Sequence, residues 1–360
     1  MALTNVQAIQ NYQGQHTPKI LKTLYNSISI TSTPGIRIVS NLTVDKILWG
    51  YTALNGLQPN NPNIEDTDLK DGSLILRSIS PRKAMKILKV NSEEFADTFL
   101  YEGQRDLTRE HPPLFAEEYW RNQMEKVGEE VEVNAFYMKD KSVATAFNAG
   151  STYAVGDVVV FGPLEQYYKC TSATSAGQSP TTHPAKWQWA SNQYICDGWG
   201  TVLKKEIANS QLSVTVTGAI TNTNALDKID GVMWAAVPEL MRQKGVKFYM
   251  SNDVYEKRQK HLRAKKDAGA FYTEGDLATS KEYIIDSGRR GQIVPVNWLG
   301  TSQRVIVTLD NNMVMGTNSL DSMGVWGNRV DTLHGFKTIM KFTLAFEFDD
   351  LRYLIVNDQE

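Results

Sequence analysis

The side chains able to act on a substrate are few in this 360-residue chain, and they do not converge. His16, His111, His183, His261 and His334 are scattered, and none stands at metal-ligand spacing from another His or Cys. Glu129, Glu130 and Glu132 cluster where a helix would give way to a strand, and read as solvated charge. Asp349 and Asp350 are neighbours, so on extended chain their carboxylates point to opposite faces and make a poor acid–base pair. The chain holds no phosphate loop, no G-x-G-x-x-G and no G-x-S-x-G. The sequence therefore predicts no catalytic residue, no metal ligand and no cofactor. What is left is aromatic. Trp187 and Trp189 are two apart and would share one face of a strand, and with Tyr167 they form a candidate surface for stacking on a flat ligand. The competing reading makes Phe147, Tyr153, Tyr168 and Trp187 the core of a small unit, since a unit under about 50 residues has little else to bury.

Charge narrows the field further. Lys and Arg total 38 against 40 Asp and Glu, a formal net charge of −2, so no global field recruits nucleic acid or an anionic membrane. One local run contains Lys257, Arg258, Lys260, Arg263, Lys265 and Lys266. It reads as a solvated or subunit-facing helix surface; a phosphate-binding stripe is the alternative, without the interleaved aromatics of a single-strand binder. A hydrophobic fraction of 41% and a charged fraction of 22% are those of a globular protein. The length suits two or three domains of about 100–200 residues each. No apolar run approaches the roughly 18 residues that span a bilayer. The first residues lack the basic and apolar parts of a signal peptide, so the chain is expected to stay in the cytoplasm that makes it. Cys170 and Cys196 suit that reducing setting and are expected to be unpaired.

The elements that must position these groups follow from pattern. Residues 1–35 are polar, with few periodic apolar positions, and suit an arm that docks on something else. "IRIVSNLTVDKILWGY" and "SLILRSISPRKAMKILKV" read as two β-rich arms of a long hairpin, joined by a run dense in Asn, Pro, Gly and Asp. Such a hairpin is too thin to bury its own core and is expected to lie against a neighbouring subunit. From Pro112, helical spacing of Leu114, Phe115, Tyr119, Met124 and Val127 predicts a helix ending near Gly128, followed by the alternating strand "EVEVNAFYM". Residues 147–192 interrupt the passage from "NAFYM" to "QYICDGWGTVLKKEI" and predict three short strands: Val158–Phe161, Gln166–Thr171 and Lys186–Ala190. Leu226 to Asn318 reads as an α/β unit. The helix "LDKIDGVMWAAVPELMRQKG" precedes the strand "VKFYMS", the helix "NDVYEKRQKHLRAKKDA" and three further strands. The chain closes with two adjacent strands around Asp349-Asp350.

That order of parts resembles the tailed-phage major capsid proteins of the Hong Kong 97-type fold, especially those of phages infecting Bacteroidetes-type hosts. The stretches that carry the resemblance are "RSISPRKAMKILKVNSEEFADTF", "PLFAEEYWRNQMEKVGEEVEVNAFY", Asp197-Gly198 in "CDGWGTVLKKEI", "VPELMRQKGVKFYMSNDVYEKRQKHL" and "GRRGQIVPVNWL". The resemblance implies an α+β fold: an N-terminal arm (1–35), an extended E-loop (36–104) and a P-domain with spine helix (105–146, continued in 193–217 and 336–360). It also implies an A-domain (218–335). Residues 147–192 would be a small all-β insertion. Their Tyr153, Gly156, Asp157, Val159, Tyr168, Cys170, Pro180 and Trp187 form a pattern similar to the carbohydrate-binding modules of chitinases and cellulases. The departure is the loop "TSATSAGQSPTTHPA", which has no Trp or Tyr where those modules need exposed aromatics. Trp189, Tyr167 and Trp187 are then the candidate glycan-stacking residues.

The capsid resemblance implies a structural protein and not an enzyme. Such a subunit self-assembles as pentamers and hexamers into an icosahedral head around phage dsDNA, and is found in the virion after assembly in the host cytoplasm. Its implied partners are itself, portal, scaffold or decoration proteins, and DNA held without sequence specificity. The insertion would face outward, for adhesion to host or mucosal glycans or for packing between subunits. Arg289 and Arg290 are candidate capsomer-axis contacts, with Glu274 or Asp276 as partners. Two alternatives stand beside this reading. One is an encapsulin-like bacterial compartment shell. The other is a carbohydrate-binding protein or glycan-active enzyme, which lacks a paired-carboxylate motif.

Overall fold

The first helix begins at the prolines and does not stop at Gly128. In the computed structural model, which describes residues 28–53, 72–91, 113–269, 279, 281–318, 330–332 and 335–360, α1 runs from Pro113 to Asn134. Trp120, Met124, Val127, Val131 and Ala135 recur every three or four residues and are all buried, whereas Val133 is 66% exposed. A strand would bury Val131 and Val133 together; a helix turns them about 200° apart. The expected strand "EVEVNAFYM" is therefore corrected to the end of α1 and a turn at 135–137. A mid-helix glycine costs about 1 kcal/mol against alanine, less than this buried stripe returns.

Before α1 come β1 (Ile36–Val39), β2 (Lys46–Ala53), β3 (Gly72–Ile79) and β4 (Arg82–Asn91). β2 and β3 form an antiparallel ribbon from Lys46↔Ile79 to Ala53↔Gly72 and pair with no other described strand. The rest of the expected hairpin differs, because β1 and β4 leave the ribbon for a sheet of the body. Residues 1–27 of the expected arm and the expected loop at 54–71 lie outside the described residues.

After α1 a small sheet forms from β5 (Thr145–Ala146), β6 (Val158–Phe161), β7 (Gln166–Cys170) and β8 (Trp187–Trp189). Its core is Tyr153, Val159, Cys170 and Trp187, with Phe147 and Tyr168 packed on it. The chain continues through α2 (Trp199–Ala208) and β9 (Val214–Thr215). The next segment is not the single helix that its periodicity suggested. A π-helical stretch, Asp227–Met233, passes into a short α turn, Trp234–Ala236, and Pro238 then breaks the run. The residue before a proline is pushed out of helical geometry, and Val237 is accordingly extended (φ −73°, ψ 123°). There follow α3 (Glu239–Lys244), β10 (Val246–Ser251), α4 (Asn252–Asp267), β11 (Gly291–Val296) and β12 (Val305–Thr308). Last come β13 (Met313–Thr317), β14 (Val330–Thr332), β15 (Gly335–Phe348) and β16 (Leu354–Asn357).

Two five-stranded sheets make the body. In one, β15 carries β4 along one edge, β13 and β14 along the other, and β1 lies outside β13 in parallel. The other has the order β11-β10-β12-β16-β9. The two closing strands, expected side by side, thus part at Asp349-Asp350 and enter different sheets. Asn312 holds that corner: its side chain accepts from the Asp350 N–H (2.7 Å) and donates to the Asp350 carbonyl (2.9 Å). Trp120 of α1, Trp199 of α2, and Trp298, Phe346 and Val356 share one continuous core that joins the sheets. Gly198 lets α2 enter it, because a Cβ there would collide with the Ala135 carbonyl oxygen.

Candidate functional site

The candidate aromatic residues separate according to strand alternation. Tyr168 lies opposite Trp189 and Cys170 opposite Trp187, so these four share a face of the small sheet. Trp187 is 6% exposed. Its ring packs against Tyr153 (centroids 5.4 Å) and Phe147 (6.1 Å), and its indole N–H donates to the Gln178 carbonyl (3.1 Å). It has no face left for a ligand; its place in the stacking set is corrected to a place in the core. Trp189, at the end of the same strand, overhangs that core and is 46% exposed. Tyr167 projects from the opposite face and stacks on Tyr194, with centroids 6.0 Å apart and planes 11° apart. Trp189 and Tyr167 do not form one flat surface. They border the same cleft.

That cleft, of about 980 Å³, lies between the end of the small sheet and the body. Trp189, Tyr167, Tyr194 and Leu164 line one side, and α1, β4 and β15 the other. Lysines come from three places: Lys83 and Lys86 on β4, Lys341 on β15 and Lys141 in the turn after α1. None of the four is ion-paired among the described residues. Glu130 and Glu165 are the lining carboxylates. Lys86 is half-buried, its ammonium donating to the Gln123 carbonyl (3.3 Å), and burial holds its pKa below the ordinary lysine value. Sequence reasoning missed this grouping because positions 83, 86, 141 and 341 share no spacing; the pairing of β4 with β15 brings 83 and 341 to one face, and the turn after α1 adds 141.

A second surface belongs to the ribbon. Leu48 and Ile79 face inward with Leu42, Val314 and Ala345. Arg77 clamps the ribbon down, its guanidinium donating to Glu206 (2.8 Å), Glu347 (2.7 Å) and the Phe348 carbonyl (3.0 Å). The alternate positions point outward: Ile47 and Leu76 are 58% and 61% exposed, and Val44 just before β2 is 72% exposed.

Arg289 and Arg290 occupy an exposed turn, Arg289 with φ +63°. Arg290 approaches Glu239 of its own chain (3.7 Å), and the expected partners Glu274 and Asp276 lie outside the described residues. The basic run on α4 is not a uniform surface. Arg258 is fully buried and bound through two nitrogens to Asp230 (2.7 and 2.6 Å). It belongs to the inward stripe Val254, Arg258, His261 and Leu262. Lys257 pairs with Asp253 (2.6 Å), Lys260 with Glu256 (3.7 Å) and Lys265 with Asp227. With four of its six cations paired within the chain and Arg258 buried, only Arg263 and Lys266 stand exposed without a carboxylate partner among the described residues, which makes a poor phosphate stripe. Both cysteines are free and buried, and burial raises their thiol pKa values. Among the described residues no group of three or more His, Cys, Asp or Glu is placed to hold a metal ion, and no helix is long and apolar enough to cross a membrane.

No protein-family model and no curated protein matches the sequence. Among solved structures the chain is similar to the satellite phage P4 procapsid that includes the size determination protein. There the TM-score is 0.49 and identity 10%, over 94% of this chain and 89% of that one. It is similar to the capsid of an empty GTA particle (TM-score 0.46, 10% identity, 92% and 89% covered). It is also similar to a virus-like particle from Pyrococcus furiosus (TM-score 0.36, 7% identity, 99% and 100% covered). At such identities these are likenesses of fold alone.

Proposed function

We propose that this chain is the subunit of a self-assembling shell, the major capsid protein of a phage head. The observation that carries the reading is the β2–β3 ribbon, which presents Val44, Ile47 and Leu76 to solvent. A ribbon pairing with no further described strand is marginal by itself, and a projecting row of apolar side chains is what another copy would cover. In this reading the ribbon is the base of the E-loop, α1 the spine helix of the P-domain, and the unit around β10 and α4 the A-domain. The end of the expected arm docks on its own chain, with Ile28 and Ile30 in the main core and Ser29 bound to Glu132 of α1. The small sheet stands on the outer surface, and the −2 subunit leaves most neutralisation of packaged DNA to counter-ions.

The test is assembly. Purified protein is followed by light scattering and negative-stain microscopy across concentration, salt and pH. Closed particles are expected, with Ile47→Asp/Leu76→Asp giving few or none while its circular dichroism matches the parent. A compact monomer under every condition would overturn the proposal. Particles unaffected by the double substitution would remove the role given to the ribbon.

A further inference from the structure

The cleft between the small sheet and the body has walls of two chemistries. On one side Trp189 projects its indole beyond the core of its own sheet. On the other, Lys83 of β4 and Lys341 of β15 share one face of that strand pair, Lys141 follows from the turn after α1, and Lys86 lines the cleft from the opposite face of β4, beside α1; Glu130 and Glu165 are the lining carboxylates. Lys86 is the telling member. Burial disfavours its charged form and the Glu130 carboxylate and the Gln123 carbonyl offset only part of that, so a further anion in the cleft would favour the ammonium. The volume, about 980 Å³, is at the upper end for an organic ligand and accommodates several rings.

We infer that this cleft is a binding site for an acidic saccharide, with a sugar ring stacked on Trp189 and its carboxylate or sulfate held by Lys83 and Lys341, with Lys141 and Lys86 at the margins of the same cleft. A pyranose ring presents a face of C–H groups that packs on an indole, while its hydroxyls both donate and accept. Asn41 and Asn192, which also line the cleft, supply amides of both kinds. Ammonium groups pair with carboxylate or sulfate through charge-assisted hydrogen bonds. A DNA duplex is excluded by shape, since its phosphates lie on a convex cylinder that cannot enter a concave cleft of this size. The site is also not at the loop between β7 and β8. It lies at the opposite end of the small sheet, where the β6–β7 turn and the end of β8 meet the body. The inference goes beyond the shell proposal and does not depend on it, because one copy of the chain contains the whole cleft.

The experiment is calorimetric titration of the full chain with a polygalacturonate oligosaccharide, a chondroitin sulfate oligosaccharide, a neutral chitin oligosaccharide and oligothymidylate. At least one acidic saccharide is expected to bind. Its affinity should fall about tenfold or more in Trp189→Ala and in Lys83→Gln/Lys341→Gln, and weaken with added salt. Thermal melts identify any variant that fails to fold, and Trp189→Phe, which keeps an aromatic face, should retain most of the binding. Four results would each overturn the inference: no binding of either acidic saccharide, equal binding of the neutral one, oligothymidylate as the preferred ligand, or acidic binding untouched by the substitutions. None of these outcomes bears on whether particles form.

Discussion

His261 shows how much a single side chain on α4 does. It is buried, and its Nδ1 accepts the Leu226 N–H (3.1 Å) at the start of the π-helical stretch, so the ring must be neutral there. Burial, and then the positive charge of Lys265, hold its pKa below the ordinary histidine value, against the pull of Asp227. In the unfolded chain the ring regains a pKa near 6.5. As pH falls below about 6.5 the unfolded state takes up a proton that the folded state resists, and stability declines. Above that value the contribution is complete. Thermal melts at pH 7.5 and 5.0 should show a smaller loss for His261→Gln, whose amide oxygen still accepts and does not titrate; equal losses would refute the assignment. Nothing in the sequence singled this histidine out from the other four. Its chemistry comes from Leu226, 35 positions away, and no spacing rule reaches that far. The aromatic residues were half legible: alternation along "WQW" put Trp187 and Trp189 on one face, but where the core ends was not written there.

At the scale of elements, the ribbon depends on one cation. Arg77 on β3 binds Glu206 of α2 and Glu347 of β15, and all three side chains are mostly buried. Burial raises the pKa of Glu347, and Arg77 opposes that rise. Removing Arg77 alone strands two mostly buried carboxylates, Glu347 the more deeply, so Arg77→Met should cost roughly 3–5 kcal/mol in urea unfolding. Adding Glu347→Gln removes the more deeply buried of the two stranded charges and should return part of that loss. Two additive losses would show that the ribbon is held by packing instead. Elements were legible where contacts are local. The strands of the small sheet fall at the expected positions because turn residues bound them. The partners of β1 and β4 were not legible, since β1 pairs with β13 and β4 with β15, each more than 200 residues further on. α1 was misjudged at its end because "EVEVN" alternates and is also helical in period, and only the core distinguishes the two.

As a whole, the described body holds one core that joins its two sheets, a second around β10 and α4 and a third beneath the ribbon, and the small sheet has a core of its own. The Lys139 N–H donates to the Gln193 carbonyl (2.9 Å), closing the neck where the chain leaves for the small sheet and returns. Replacing residues 145–190 by a short Gly-Ser link should therefore leave the body folded, with its helical dichroism retained. Loss of cooperative melting in that deletion would mean that the two parts fold as one. The Gly, Ser and Thr content changes abruptly at 147–192, and the strands of the small sheet fall within 145–189, whereas the parting of β15 and β16 into two sheets left no mark in the sequence. The place of β15 also has a consequence for synthesis. β4 and β13 both hydrogen-bond to it, so the sheet cannot close until residue 348 has been made. At about 5–20 residues per second, β4 waits some tens of seconds for its partner. During that interval its apolar Ala84 and Leu88 have no sheet to enter. The nascent chain is then most open to premature contact with its own kind, and its yield should depend more on holding factors during translation than on the stability of the finished fold.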